Sequence, residues 1–188
     1  MIRYSDEDIE RAIKESKKGL ALYKEIIKLF NNNVDVSKDE TFQRLFNGFF
    51  ITSPQKPDFY LAFYSYFETI KSNIPSFTEA LEALYKNVNR VQTSFISKMF
   101  HVIDNNLPIY DGNMLKVLNI DRPKTWWSLI KKKERAIEIY NQIIQWYNDF
   151  VPSEEGQRWI ILFDKEYSNS NITPIKKIDF ILWKLGKK

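Results

Sequence analysis

The stretch SFISKMFHVIDNNLPIYDGNMLKVLNI, at residues 94–120, decides the fold prediction. Its apolar residues recur at helical spacing on both sides of a stiff turn that contains Pro108. Asp111 follows this turn and stands immediately before the second apolar run, a position at which aspartate commonly begins a helix. The stretch therefore predicts two helices joined by a short turn, with a lone carboxylate at the mouth of the second helix.

Helix signals recur on both sides of this stretch, and no segment alternates convincingly at the period of a β-strand. One long helix is predicted over about 124–150, with Ile130 in an apolar stripe. The predicted fold class is all-α: a compact orthogonal helical domain of about eight to nine helices with a helix-hairpin-helix-like centre. Two pairs have the spacing of a capping box, Ser37 with Glu40 and Ser76 with Glu79.

The chain of 188 residues is long enough to bury a real core and forms one domain or at most two small ones, of which we predict a single domain. This all-helical domain covers 1–188 in three parts. N-terminal helices occupy 5–72, a hairpin-like region occupies 76–120, and C-terminal helices occupy 123–186. Internal repeats and low-complexity segments are not visible.

Composition excludes several classes of site. The sequence has no cysteine and one histidine, His101, which removes disulfides, thiolate chemistry, cysteine-zinc sites and histidine-rich metal sites. We therefore expect no metal and no cofactor. No apolar run is long enough to cross a membrane, and the N-terminus lacks an apolar signal core, so a cytoplasmic location is expected.

The charge distribution allows two interpretations. The net charge is +4, and lysine runs at 131–133, 176–177 and 187–188 concentrate positive charge in the last third of the chain. Such runs form either a solvated face or a patch that follows the phosphates of a nucleic acid. Lys131 and Lys132 are therefore candidate DNA-binding residues.

Four short pieces carry a resemblance to a known family. They are SKMFH at 97–101, PIYD at 108–111, FD at 163–164 and KKIDFILW at 176–183. In this order, and with a helix, a short turn and a helix before Asp111, the sequence resembles the helix-hairpin-helix DNA glycosylases. It is most similar to the small bacterial group that is like 8-oxoguanine glycosylases. The resemblance covers about 76–120 and the last thirty or so residues.

The resemblance implies a catalytic role for Asp111, because the aspartate after the hairpin is the catalytic carboxylate of that family. Cleavage of an N-glycosidic bond builds positive charge on the sugar, and a nearby carboxylate stabilises it. A helix N-terminus favours the ionised form. The alternative is that Asp111 only caps a helix, which contributes about 1 kcal/mol.

Two positions depart from the family pattern. The Gly-x-Gly core of the hairpin, which grips a DNA phosphate, is replaced by Val-Asn-Arg-Val at 88–91. Asn89 can adopt a left-handed conformation, and Arg90 can reach a phosphate through its side chain. The family's nucleophilic lysine is replaced by Ser94. Lys98, one helical turn later, is the candidate amine nucleophile, unless it is solvated or paired with Asp104.

Aromatic residues near Asp111 suggest a base pocket, because a flipped base stacks on aromatic faces. Tyr110 and His101 are the candidates, although a lone histidine among apolar neighbours commonly serves packing. Trp126 and Trp127 either wedge into a duplex or pack in the core. Asp179, between apolar residues, is expected to be partly buried and either paired with a lysine or arginine or capping another helix.

The resemblance predicts a DNA-binding protein of the base-excision glycosylase type, which cleaves the N-glycosidic bond of a modified base such as 8-oxoguanine. The alternative is a non-catalytic helical module that binds DNA or protein on the same scaffold. The sequence leaves open whether the protein is an enzyme, and it does not give an oligomeric state.

Overall fold

The computed structural model describes residues 4–50 and 55–187, and within them the chain forms ten α-helices and no strand. The predicted all-α class is therefore confirmed, and the number of helices is close to the prediction. The helices are α1 (Asp6–Lys14), α2 (Lys17–Asn31), α3 (Glu40–Phe50), α4 (Pro57–Ile70), α5 (Phe77–Val88), α6 (Thr93–Ile103), α7 (Gly112–Val117), α8 (Leu129–Phe150), α9 (Glu154–Glu166) and α10 (Pro174–Leu185).

The apolar residues between Ile9 and Phe30 recur at helical spacing and predict one helix, but this segment forms two, α1 and α2. The break between α1 and α2 lies at Glu15 and Ser16. The Ser16 hydroxyl donates to the carbonyl of Ala12 at 2.8 Å, and the amide of Ser16 donates to the carbonyl of Ile13 at 2.9 Å. A serine that bonds to its own preceding turn offers the backbone an alternative to continuing the helix.

One predicted capping box is confirmed. The Ser76 side chain accepts from the Glu79 amide at 3.2 Å, and Glu79 accepts from the Ser76 amide at 2.8 Å, at the start of α5. This reciprocal pair satisfies two backbone donors that the helix itself leaves without partners.

The other capping box, at Ser37 and Glu40, is wrong. The Ser37 hydroxyl donates to Asp35 at 2.6 Å, and Asp39 accepts from the amide of Phe42 at 2.6 Å at the start of α3. A carboxylate directly before the helix takes the capping position, because an ionised acceptor makes the stronger bond to a backbone amide.

The long helix α8 begins at Leu129 rather than near 124. Ser128 accepts from the amide of Lys131 at 3.4 Å, and a turn precedes it, in which the amide of Trp127 donates to the carbonyl of Lys124 at 3.2 Å. Ile130 then falls on the solvent side and is 68% exposed, so its predicted place in an apolar stripe is wrong.

The chain groups into two compact units. We call Met1–Lys17 with Asp104–Lys188 the terminal unit, and Lys18–Ile103 the central unit. The predicted hairpin-like region at 76–120 is divided between them, since α5 and α6 belong to the central unit and α7 to the terminal unit. The single domain inferred from the sequence stays a prediction.

Helix α10 is the centre of the terminal unit, where it packs against α1, α7 and α9. Most of its residues are buried, including two charged ones, Lys176 and Asp179. Their side chains form an ion pair with 2.6 Å between Nζ and Oδ2, which confirms the expected pairing of Asp179. A buried carboxylate of this kind needs such a partner to offset its lost hydration.

The central unit has an aromatic core. Helix α5 packs against α4 and α6, and edge-on and tilted ring contacts link α3 to α4, as between Phe46 and Phe63 with ring centroids 5.7 Å apart. Aromatic pairs in these orientations contribute about 0.5–1.5 kcal/mol beyond the burial of their area. The residues of this core include Phe42, Phe46, Phe63, Tyr64 and Phe67, all of which are buried.

Candidate nucleic-acid interface

The eight site residues predicted from sequence are divided between the two units. The central unit holds four of them, and the terminal unit holds the other four. The first group is Asn89, Arg90, Lys98 and His101; the second is Tyr110, Asp111, Lys131 and Lys132.

In the turn between α5 and α6, one residue adopts a left-handed backbone conformation, which glycine favours and asparagine tolerates. Asn89 adopts φ 52° and ψ 34°, the left-handed conformation predicted for it, and its amide donates to the carbonyl of Tyr85 at 2.7 Å. Asn89 and Arg90 are both exposed. The helix, turn and helix are therefore present, while phosphate contact at this turn stays a prediction.

Lys98, the candidate nucleophile, is buried in the central unit. Its side-chain nitrogen donates to the carbonyl of Phe50 at 2.6 Å and lies 5.8 Å from the centre of the Phe95 ring. The solvated alternative is therefore wrong. An amine that attacks a sugar would first have to leave this carbonyl.

His101 lies in the core of the central unit and is 0% exposed. Its Nε2 is 3.0 Å from the hydroxyl of Tyr23, and the two rings pack with centroids 5.6 Å apart. The expectation that a lone histidine among apolar neighbours serves packing is confirmed. A contact between His101 and a flipped base would require this core to open.

Asp111 caps α7 as predicted, since its Oδ1 accepts from the amide of Asn113 at 2.8 Å. The residue is half-buried, and its Oδ2 receives no hydrogen bond from the part of the chain that the structure describes. The charge of Asp111 also acts on Tyr147. Burial first, and then the charges of Asp179 and Asp111, raise the pKa of Tyr147 well above its ordinary value. The capping role is established by geometry, and one carboxylate oxygen remains available for other contacts.

A cleft of about 670 Å³ lies beside α7 and the loop that follows it, in the terminal unit. Three cations and one carboxylate line it, so positive charge predominates. Asp111 is not one of its lining residues, whereas Gly112, the next residue, is. The charged, amide and aromatic side chains of this cleft are Lys116, Asn119, Asp121, Arg122, Lys124 and Trp126.

Two of the cleft's cations have no carboxylate partner within the described residues: Lys116 and Arg122, both of which are exposed. Lys124, by contrast, lies 4.0 Å from Asp121. Two unpaired cations in a concave surface generate a local positive potential that attracts anions.

Gly112 allows Arg122 to lie against the start of α7. A Cβ built at Gly112 would be 1.5 Å from Nη2 of Arg122, so a larger residue would displace the guanidinium. Burial raises the pKa of Tyr110, and the positive charges of Arg122 and Arg135 oppose that rise. Tyr110 is thus a buried neighbour of the cleft's arginine, at 7% exposure.

The loop of the cleft is fastened to α8. Nε and Nη2 of Arg135 donate to the carbonyl of Asp121 at 3.3 and 3.1 Å. The two bonds converge on this one carbonyl oxygen and hold the backbone of the loop at Asp121. The backbone that carries Arg122 and Lys124 is therefore held by a helix.

Trp126 is 78% exposed and lines the cleft, so the packing alternative is wrong for this residue. Trp127 is half-buried. An exposed indole beside unpaired cations is unusual on a protein surface, because large apolar rings are normally removed from water.

Lys131 and Lys132 lie in the first turns of α8, where Lys131 is exposed and Lys132 half-buried. Neither lines the cleft. Positive charge at a helix N-terminus opposes the macrodipole, and α8 has no acidic residue in its first turn. Stability of the helix therefore does not explain these lysines, and the prediction that they contact DNA stays open.

Sequence reasoning did not identify Lys116, Arg122 and Lys124 as site residues. A signal was present, because two basic residues closely precede a pair of tryptophans in RPKTWW at 122–127. Basic residues close to aromatic ones are typical of nucleic-acid surfaces. The sequence does not indicate the concave arrangement, nor that Lys116 and Arg122 have no carboxylate partner among the described residues.

Two other kinds of site receive no support from the described ranges. Residues 4–50 and 55–187 contain no group of three or more histidine, aspartate or glutamate side chains placed to hold a metal ion. In the same ranges, none of the helices has both the length and the apolar character that a membrane crossing requires.

Comparison with protein-family models, with curated proteins and with solved structures gives no significant match to this chain.

Proposed function

We propose that this protein binds nucleic acid, with DNA as the expected partner, through the cleft beside α7. The observation that carries this proposal is that Lys116 and Arg122, which have no ion pair within the described residues, share the cleft with the exposed Trp126. Cations neutralise phosphates, and aromatic rings contact bases. The cytoplasmic location expected from the sequence is compatible with this function.

The strength of the interaction is expected to depend on salt. Each phosphate that a lysine or arginine neutralises releases condensed counterions, which makes the logarithm of the affinity fall linearly with the logarithm of salt concentration. Asp121 reduces the positive potential of the cleft, because its carboxylate lies 4.0 Å from the ammonium of Lys124. We therefore expect Lys116 and Arg122, the two unpaired cations, to account for most of the dependence of the affinity on salt concentration.

Fluorescence anisotropy with a labelled oligonucleotide tests the proposal. Arg122→Gln and Lys116→Gln should each weaken binding and each reduce the magnitude of the salt slope by about 1 or somewhat less. Lys17→Gln is the matched control, because Lys17 is exposed, belongs to the same unit and does not line the cleft. Equal effects of all three variants, or no binding by the unaltered protein, would exclude this cleft as the binding site.

A second function, removal of a modified base, is favoured by one observation. Oδ2 of Asp111 receives no hydrogen bond within the described residues, and the adjacent Gly112 lines the cleft. We propose that this carboxylate stabilises the positive charge that develops on the sugar as the N-glycosidic bond breaks. Lys98 stays the candidate amine for a bifunctional enzyme.

Base release from a panel of oligonucleotides that contain modified bases tests this second function. Asp111→Asn should abolish release while the protein remains folded, because an asparagine caps a helix about as well as an aspartate. If the unaltered protein binds DNA and releases no base from the panel, the non-catalytic binding module is the better description.

A further inference from the structure

We infer that the cleft binds single-stranded nucleic acid in preference to duplex, with an unstacked base lying on the indole of Trp126. This inference rests on the proposed nucleic-acid binding and adds the form of the strand.

The exposure of Trp126 is the first step. The ring is 78% exposed, although burial of apolar surface stabilises a protein by roughly 25 cal/mol per Å². A single exposed ring needs no explanation by itself, but this ring lines a cleft together with the unpaired cations Lys116 and Arg122. A base face is a suitable partner for an indole, and stacking between them tolerates any base.

The position of the ring within the cleft is the second step. Trp126 and the cations Arg122 and Lys124 belong to one short segment, and Lys116 faces the same cavity from α7. A chain whose phosphates bind the cations would therefore place its bases near the indole. The side chain of Asn119 also lines the cavity and offers hydrogen-bond donors and an acceptor to a base edge.

The state of the nucleic acid follows from these contacts. In a duplex, base faces are stacked on one another, and only phosphates, sugars and base edges in the grooves are accessible. In a single strand, base faces can be reached by an aromatic side chain without a cost for unpairing. The cavity of about 670 Å³ is within the range of roughly 300–1,000 Å³ for ligand sites.

An anionic membrane surface is the competing partner, because exposed apolar residues next to lysines also insert into lipid headgroups. Ile130 is 68% exposed and precedes the lysine run at 131–133. However, Ile130 does not line the cleft, whereas Trp126 does. The arrangement favours nucleic acid, since the ring and the cations share one concave surface, and Ile130 provides a control that separates the two partners.

The experiment compares a labelled 15-nucleotide thymidine strand with a hairpin duplex, using anisotropy and tryptophan fluorescence. We expect tighter binding of the single strand and quenching of indole emission. Trp126→Ala should weaken single-strand binding about 5- to 150-fold and duplex binding by less than about twofold. Trp126→Phe should recover much of the loss, and Ile130→Ser should leave both affinities unchanged. Circular dichroism verifies that each variant is folded.

Three results would overturn the inference while leaving nucleic-acid binding intact: equal affinity for strand and hairpin, an equal loss of both in Trp126→Ala, or a loss in Ile130→Ser as large as that in Trp126→Ala. Binding to phosphatidylserine vesicles that Ile130→Ser abolishes, without any binding of oligonucleotides, would refute both the inference and the proposed function. A complete lack of oligonucleotide binding alone would do the same.

Discussion

At the scale of single residues, Gly112 sets the position of Arg122. Gly112→Ala places a Cβ where Nη2 of Arg122 now lies, 1.5 Å away, and the guanidinium must move. The fold should tolerate the change, because Gly112 has no positive φ and begins a helix. We expect an unchanged or slightly higher melting temperature and oligonucleotide binding about two- to fivefold weaker at low salt. Calorimetry and anisotropy measure the two effects, and unchanged binding in this variant would contradict the assigned position of Arg122.

A second prediction at this scale concerns pH. The hydroxyl of Ser37, and then Lys38, lower the pKa of Asp35 from 3.8 to about 2. A depressed carboxyl pKa stabilises the folded state fully above the unfolded value, and that contribution is lost as the pH falls from about 4 towards about 2. NMR titration of the Asp35 carboxyl carbon should give a midpoint near 2. In Ser37→Ala the midpoint should rise towards 3.8; the same midpoint in both proteins would mean that the Ser37 hydroxyl does not lower this pKa.

At the scale of elements, capping residues explain which helix boundaries could be predicted. Ser76, Ser153 and Thr173 each accept from a backbone amide at the start of α5, α9 and α10, as the local sequence indicates. Prediction failed where two local interactions compete, as at Ser37 beside Asp35 and Asp39. The sequence contains all the competing groups, but the relative strength of the hydrogen bonds that they form depends on geometry.

The candidate site was predicted less completely than the helices. The cap at Asp111 and the left-handed Asn89 follow from local rules. The cleft does not, because sequence proximity cannot show that Lys124 has a carboxylate neighbour while Lys116 has none among the described residues. Exposure of Trp126 likewise depends on the late start of α8 at Leu129.

Helix α8 provides a prediction in which stability and binding change in opposite directions. Lys131→Glu replaces a charge that opposes the helix macrodipole with one that favours it, at a position in the first turn. We expect a gain of about 0.3–1 kcal/mol in the free energy of unfolding, with a melting temperature about 1–4 °C higher. Binding of oligonucleotides should weaken, if Lys131 contacts phosphate as the sequence predicts.

The matched control for that prediction is Lys165→Glu. Lys165 is in the last turn of α9, where a positive charge favours the macrodipole, so its reversal should lower stability. Thermal denaturation and anisotropy on both variants measure the two quantities. A lower melting temperature in Lys131→Glu would contradict the argument that these lysines are unfavourable for α8.

At the scale of the whole molecule, the proposed cleft and the candidate nucleophile belong to different units. All lining residues of the cleft lie in the terminal unit, whereas Lys98 lies in the central unit. Nucleic-acid binding as proposed therefore requires only residues of the terminal unit. The sequence could not indicate this division, because the hairpin-like region at 76–120 is continuous in the chain. Only the contacts within the structure assign 76–103 to the central unit and 104–120 to the terminal unit.

The stability of the terminal unit should depend on the ion pair within α10. Lys176→Met removes the ammonium that lies 2.6 Å from Asp179 and leaves a carboxylate that is only 6% exposed. Loss of one member of a buried pair typically costs about 3–5 kcal/mol, while replacing both members with apolar residues is often neutral. We therefore expect Lys176→Met to be strongly destabilised in urea denaturation and Lys176→Met/Asp179→Leu to recover most of the loss.

Hydrogen exchange should report faster opening of α7, α9 and α10 in the single variant, because α10 packs against both other helices. A double variant less stable than the single one would mean that Asp179 stabilises the unit through contacts other than its ion pair with Lys176, because residue 176 is methionine in both variants.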